Sequence, residues 1–222
     1  MRVSVLLPAR EKDINTIVSA IRNLLDTAEE PEKVEIIVNM DTDAPMLEAV
    51  ADSIEDDSVF VMGSPRGNGY LSLENKWNEC AKVADGHWLM LWNCDATMLT
   101  EAWDTYLDNF KDPICVVRPS DNHRAAAFVI FPRLVYLLLG YVTQHPFMDW
   151  WINQLIYRQG GWPAYEDGSI QVHHSWSRTS PNATQSLALQ HDLHKTRPDY
   201  WRRMIDEDVA KLKKAHEDFI RA

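Results

Sequence analysis

Apolar positions in the first hundred residues follow two alternating spacings. Val3–Leu7, Val34–Val38, Val59–Met62 and Trp88–Trp92 are dense apolar runs of four or five residues. Runs of this kind read as strands covered on both faces. Between the first two, Ile14, Ile17, Val18, Ile21, Leu24 and Leu25 recur at helical spacing, with Asp13 as the N-cap of a helix to about Thr27. Pro45 opens a short helix to about Ile54, and a third helix runs from about Leu73 to Val83. The alternation of strand and helix predicts an α/β protein whose central sheet is mostly parallel, with helices on both faces.

The second half is less regular. Ile114–Arg118 and Ala126–Phe131 read as strands, Leu134–Gly140 as a helical turn, Phe147–Gln159 as a helix and Tyr165–His174 as a last strand. Ser175–Arg197 is polar and rich in turn formers, and reads as a mobile loop. Asp199–Arg221 is amphipathic, with Trp201, Ile205, Val209, Leu212 and Phe219 on one face, and is a candidate contact for a homo-oligomer.

With 222 residues, 45% of them hydrophobic, the chain can form one domain with a proper core. A net charge of −11 argues against broad binding to a nucleic-acid backbone, but not against handling a single nucleotide. Three cysteines, an odd number in predicted core elements, favour reduced thiols. The first strand begins at once, leaving no room for a signal peptide. The apolar stretch Leu134 to Val142 is too short to span a bilayer. A cytoplasmic protein with no membrane span is expected.

Polar clusters fall at the carboxyl ends of three predicted strands: Pro8-Ala9-Arg10, Asp41-Thr42-Asp43 and Asn93-Cys94-Asp95. In a parallel sheet these ends lie on one rim, where open α/β sheets bind their ligands. Taken singly, each aspartate is explained equally well as the cap of the helix that follows it. Arg66, in the loop after the third strand, can meet a diphosphate through its planar guanidinium, or simply be a solvated loop residue. Asn93 can hydrogen-bond a ribose hydroxyl through its amide.

The segments Val3-Ser-Val-Leu-Leu-Pro-Ala-Arg10 and Val34-Glu-Ile-Ile-Val-Asn-Met-Asp-Thr-Asp-Ala-Pro45 resemble the opening of GT-A fold glycosyltransferases of the family-2 type. Lys76-Trp-Asn78, Asp85-Gly86 and Trp88-Leu-Met-Leu-Trp-Asn-Cys-Asp95 continue the resemblance in order. It covers roughly the first hundred residues. The resemblance implies a Rossmann-like three-layer α/β/α sandwich and an enzyme that moves a hexose or pentose from a nucleotide-diphosphate sugar to an acceptor hydroxyl, with inversion. A UDP-sugar is the favoured donor, and the acceptor is open. It implies that residues 1–97 bind the donor, 98–175 the acceptor, and that 176–222 form a loop and terminal helix.

Carried over residue by residue, the resemblance places Pro8, Ala9, Arg10 and Asn78 around the nucleotide, with Asp41 on its base and Asp43 beside it. Its Asp-x-Asp motif falls on Asn93-Cys94-Asp95, so Asp95 inherits the metal-ligand role, for manganese or magnesium. Asparagine in the first position removes one charge from that site. Pro146-Phe-Met-Asp149 matches the acidic segment at the start of the acceptor-side helix and makes Asp149 the candidate general base, with a helix N-cap as its other reading. His173 and His174 match a place where such enzymes supply a further metal ligand. A regular strand lets only one of them face the site, and His173 is the first choice. Trp150, Trp151 and Trp162 are candidates for a sugar pocket or for core packing. Two other readings remain: a nucleotidyltransferase, although Pro8-Ala-Arg-Glu-Lys12 is not glycine-rich, and a non-catalytic nucleotide- or sugar-binding protein.

Overall fold

A computed structural model describes residues 2–9, 14–54, 56–122, 128–158, 164–175, 192–193 and 195–221. The four dense apolar runs form β1 (Val3–Pro8), β2 (Val34–Asp41), β3 (Val59–Ser64) and β4 (Trp88–Leu91). They pair in parallel, with β1 between β2 and β4 and β3 outside β2. Between them lie α1 (Ile14–Asp26), α2 (Leu47–Ser53) and α3 (Leu73–Val83). The cap expected at Asp13 lies outside the described residues.

Beyond β4 the pairing is mixed. The chain continues through β5 (Ala96–Met98), α4 (Trp103–Tyr106), β6 (Val116–Asp121), β7 (Ile130–Pro132), α5 (Arg133–Leu139), α6 (Met148–Arg158), β8 (Ala164–His174) and a terminal α7 (Pro198–Arg221). The strand order is β3-β2-β1-β4-β7-β6-β8-β5. Strand β7 is antiparallel to β4 and β6, β5 is antiparallel to β8, and β6 and β8 pair in parallel. The sheet is thus mostly parallel, as expected, with two reversed strands. Three-residue β5 was not expected, because a strand that short carries no periodicity.

The sheet separates two cores. On one face Val3, Val5, Leu7, Ile36, Val38, Met90 and Trp92 meet α1 and α2. On the other Leu6, Ile37, Leu89 and Leu91 meet α3, α5, α6 and α7. Alternate residues of each strand feed opposite layers, which explains why these strands are apolar throughout. Gly86 fits because the turn before β4 presses on β1. A Cβ at Gly86 would lie 2.6 Å from the Ser4 backbone nitrogen, and the Gly86 N–H donates to Ser4 Oγ at 2.7 Å. That contact sets where β4 enters the sheet, and so where its carboxyl end delivers Asn93 and Asp95.

Candidate functional site

The ends of β1, β2 and β4 reach one rim, as parallel pairing requires. Strand β1 pairs with β2 out to Pro8 and Asn39, and the Ala9 N–H continues the ladder onto the Asn39 carbonyl at 2.9 Å. Arg10 lies outside the described residues. Four residues past the end of β4, Asp95 sits in a tight turn closed by the Ala96 N–H on the Asn93 carbonyl. The Asp95 carboxylate is exposed and Asn93 is half-buried. Cys94 packs with its sulfur 3.9 Å from the Pro8 carbonyl. Burial first, then the Asp95 charge, pushes its thiol up to about 12. It stays protonated and packs against the end of β1.

At the β2 end, the aspartates do not cap α2. Its N-cap is Met46, with no side-chain hydrogen bond. Asp41 instead faces two cations, Lys76 Nζ at 2.8 Å and Arg66 at 3.3 Å. Arg66 Nε reaches both Asp43 oxygens at 3.0 Å and holds the Asp43 carboxyl below its usual range. Lys76 also donates to Ser64 Oγ at 3.2 Å, and Ser64 donates to buried Asn39 at 2.8 Å. The Asn39 amide returns to the Lys76 carbonyl at 3.2 Å. Neither Lys76 nor Ser64 stands out in the sequence as a site residue. Their only signal was position, a lysine in the second turn of α3 and a serine ending β3.

Asn78 stands apart from this network. Its Oδ1 accepts from the Val142 N–H at 2.7 Å and the Thr143 N–H at 3.3 Å, and its Nδ2 donates to the Thr143 carbonyl at 2.8 Å. Both ends of the amide are thus spent on the chain leading into α6. In the structure the Asn78 side chain acts as a clasp on that chain segment.

The histidine preference reverses. In β8, Ile170, Val172 and His174 are buried, while Gln171 and His173 are exposed, the alternation of a regular strand. His174 Nε2 lies 3.2 Å from Asp95 Oδ1, and exposed His173 stands on the other face opposite Thr97. Asn122 fixes this register: its Oδ1 accepts from the His174 N–H at 2.7 Å and its Nδ2 donates to the His174 carbonyl at 3.1 Å. Phe128 meets the imidazole edge-on at 5.1 Å, backed by Trp92. A further clamp is the Ser175 N–H on the Asp95 carbonyl at 2.9 Å.

Asp149 lies in the first turn of α6. Burial raises its carboxyl above the usual range, while backbone N–H bonds from Trp150 and Asp149 itself and the nearby His174 imidazole pull the other way. The N-terminal helix role and proximity to the Asp95–His174 pair therefore coexist. Trp151 is wholly buried in the core, and Trp162 lies outside the described residues. Among the described residues, no three His, Cys, Asp or Glu side chains converge to hold a metal ion. At this rim Asp95 and His174 form a mixed oxygen and nitrogen pair, donor types that suit a borderline divalent ion.

No protein-family model matches the sequence, and no curated protein matches it. Solved structures do share its fold. A mannosyltransferase, PcManGT from Pyrobaculum calidifontis, in complex with GDP-Man and Mn2+, superposes with a TM-score of 0.68 at 14% identity, covering 96% of this chain and 69% of that one. TarS from S. aureus superposes at 0.59 and 11% identity, covering 80% of this chain and 37% of that one. Its 1–349 fragment in complex with UDP-GlcNAc superposes at 0.58 and 10% identity, covering 81% of this chain and 60% of that one. The chain thus spans little over a third of the longer TarS protein. The fold is that of GT-A glycosyltransferases, a Rossmann-like α/β/α sandwich with a mostly parallel central sheet. No helix among the described residues is long and apolar enough to cross a membrane.

Proposed function

We propose that the protein transfers a sugar from a nucleotide-diphosphate sugar to an acceptor hydroxyl, with a divalent cation at Asp95 and His174. The observation that carries this reading is the 3.2 Å Asp95–His174 pair, set at the rim where the parallel strands end. A carboxylate and an imidazole fit manganese better than calcium. When bound, such an ion supplies positive charge to a diphosphate leaving group.

The remaining work falls to the chain's own groups. Pro8 and Ala9 border the nucleotide, and Asn93 offers an amide to a ribose hydroxyl. Asp41 accepts an N–H from the base. Its two oxygens already face Lys76 and Arg66, but each keeps lone-pair capacity for one more donor. Uracil offers such an N–H, so a UDP-sugar is the favoured donor. Lys76 holds the Asp41 carboxylate still, while Arg66, half-exposed, can turn from Asp43 toward a diphosphate.

Asp149 takes the acceptor proton. A buried carboxylate with a raised pKa is a stronger base than a solvated one, provided that it is ionised at working pH. Its position at the start of α6, held by backbone N–H groups, fixes the direction from which it acts. An inverting displacement requires a base on that side, so inversion is the stereochemistry proposed.

The test is donor turnover measured with and without manganese, in the parent protein and in Asp95→Ala. Turnover that is independent of added metal and survives the substitution would overturn the assignment. A second reading, a nucleotide-sugar-binding protein without turnover, is favoured by the two-residue cation set. It predicts tight donor binding with no transfer to any acceptor offered.

A further inference from the structure

Trp150, Gln154 and Arg158 are spaced four apart along α6 and therefore share one side of that helix. That side faces the first two turns of α7, where Pro198, Trp201 and Arg202 form the opposite wall of a groove of about 270 Å³. The volume lies just under the usual range for small-ligand sites and is enough for a single substituted sugar ring.

The lining is chemically specific. Two half-buried indoles supply flat apolar surface of the kind that covers the C–H face of a sugar ring. Gln154 adds an amide that can both donate to and accept from hydroxyls. Two guanidinium groups, Arg158 and Arg202, stand at the rim.

Each guanidinium has a replaceable partner. Arg158 meets Asp206 at 3.1 Å and Arg202 meets Asp199 at 3.9 Å. Asp206 is 61% exposed and Asp199 94% exposed, and ion pairs so open to water hold weakly. An incoming phosphate or carboxylate could take over either fork, and planar guanidinium suits both. The first turn of α7, entering the groove at Pro198, adds the positive end of a long helix.

We propose that this groove is the acceptor subsite and takes a saccharide bearing an anionic substituent. The acceptor role rests on the transferase reading, since α6, which carries the candidate base Asp149 in its first turn, also forms one wall of the groove. Binding itself does not depend on that reading and can be measured without turnover.

The experiment is isothermal titration of the full chain with glucose 6-phosphate, glucuronate, glucose and inorganic phosphate, each with and without UDP and manganese. The two acidic sugars should bind at least tenfold more tightly than glucose or phosphate alone. The Arg158→Ala/Arg202→Ala double variant should lose at least tenfold in affinity for them while binding UDP with manganese as before. Equal binding of glucose would remove the anionic class, and equal binding of phosphate would reduce the groove to a plain anion patch. Unchanged affinity in the double variant, or no binding of either acidic sugar, would overturn the site. If UDP with manganese still binds in that last case, the subsite fails and the transferase reading stands. If the acidic sugars bind and UDP does not, the subsite stands and the donor reading fails.

Discussion

Replacing Asn78 by alanine separates a structural clasp from a ligand contact. The side chain makes three hydrogen bonds to the backbone of Val142 and Thr143, two of them short at 2.7 and 2.8 Å. Val142 is 2% exposed and Thr143 is fully buried, so water cannot readily replace the lost amide. Each buried backbone group stripped of its partner costs about 1–3 kcal/mol. Two well-made bonds therefore give an expected loss of roughly 2–6 kcal/mol, the third being too long to add much. Asn78→Asp keeps an acceptor for both N–H groups but loses the donor to the Thr143 carbonyl, so its loss should be smaller. Urea unfolding followed by tryptophan fluorescence measures both variants, and a midpoint shift at constant slope isolates stability. UDP affinity should stay within about twofold if the amide is a clasp alone. A stability loss below about 0.5 kcal/mol, joined to a tenfold loss of nucleotide affinity, would refute the clasp and return Asn78 to the donor site.

Asp95→Ala should abolish manganese-dependent binding of a nucleoside diphosphate with the fold intact. His174→Ala should weaken that binding and His173→Ala should leave it unchanged, read by calorimetry with and without metal. Asp149→Asn should keep donor affinity while transfer falls about a hundredfold or more, as removal of a positioned base does, in a transfer assay run beside donor titration. Burial raises the Asp149 pKa above its ordinary 3.8, so the native state holds that proton more tightly than the unfolded chain. Its contribution to stability is present below pH 3.8 and is lost as pH rises through the folded value, and Asp149→Asn should remove that slope in urea midpoints taken across pH. Asp41→Ala should erase a preference for uridine over adenosine nucleotides, and equal binding of both by the parent chain would remove the base role from Asp41.

The first half of the sheet was legible from the sequence because its signal is local. Runs such as Val3–Leu7 and Val34–Val38 are apolar on both faces only when both faces are covered, and the helices between them leave parallel pairing as the remaining topology. From parallel pairing alone, Pro8, Asp41 and Asp95 had to approach one rim. The amphipathic spacing of α1 and α7 is equally local, and the structure starts and ends both helices within a residue or so of the pattern.

Everything set by long-range contacts was left to the tertiary structure. Which histidine faces Asp95 depends on the register of β8, fixed by β5 and by Asn122, fifty-two residues away in the chain. Side-chain direction in a strand flips with every residue, so a one-step difference exchanges His173 for His174. Asp41 and Asp43 read as helix caps until α3 and the loop after β3 brought Lys76 and Arg66 to them. Asn78 lies within the resemblance to a family but spends its amide on a loop more than sixty residues downstream. Sequence pattern fixes which face of an element is apolar, because burial acts on each element separately. Which polar groups meet is decided only when the elements pack, because hydrogen bonds and ion pairs act over a few ångströms in space and carry no period along the chain.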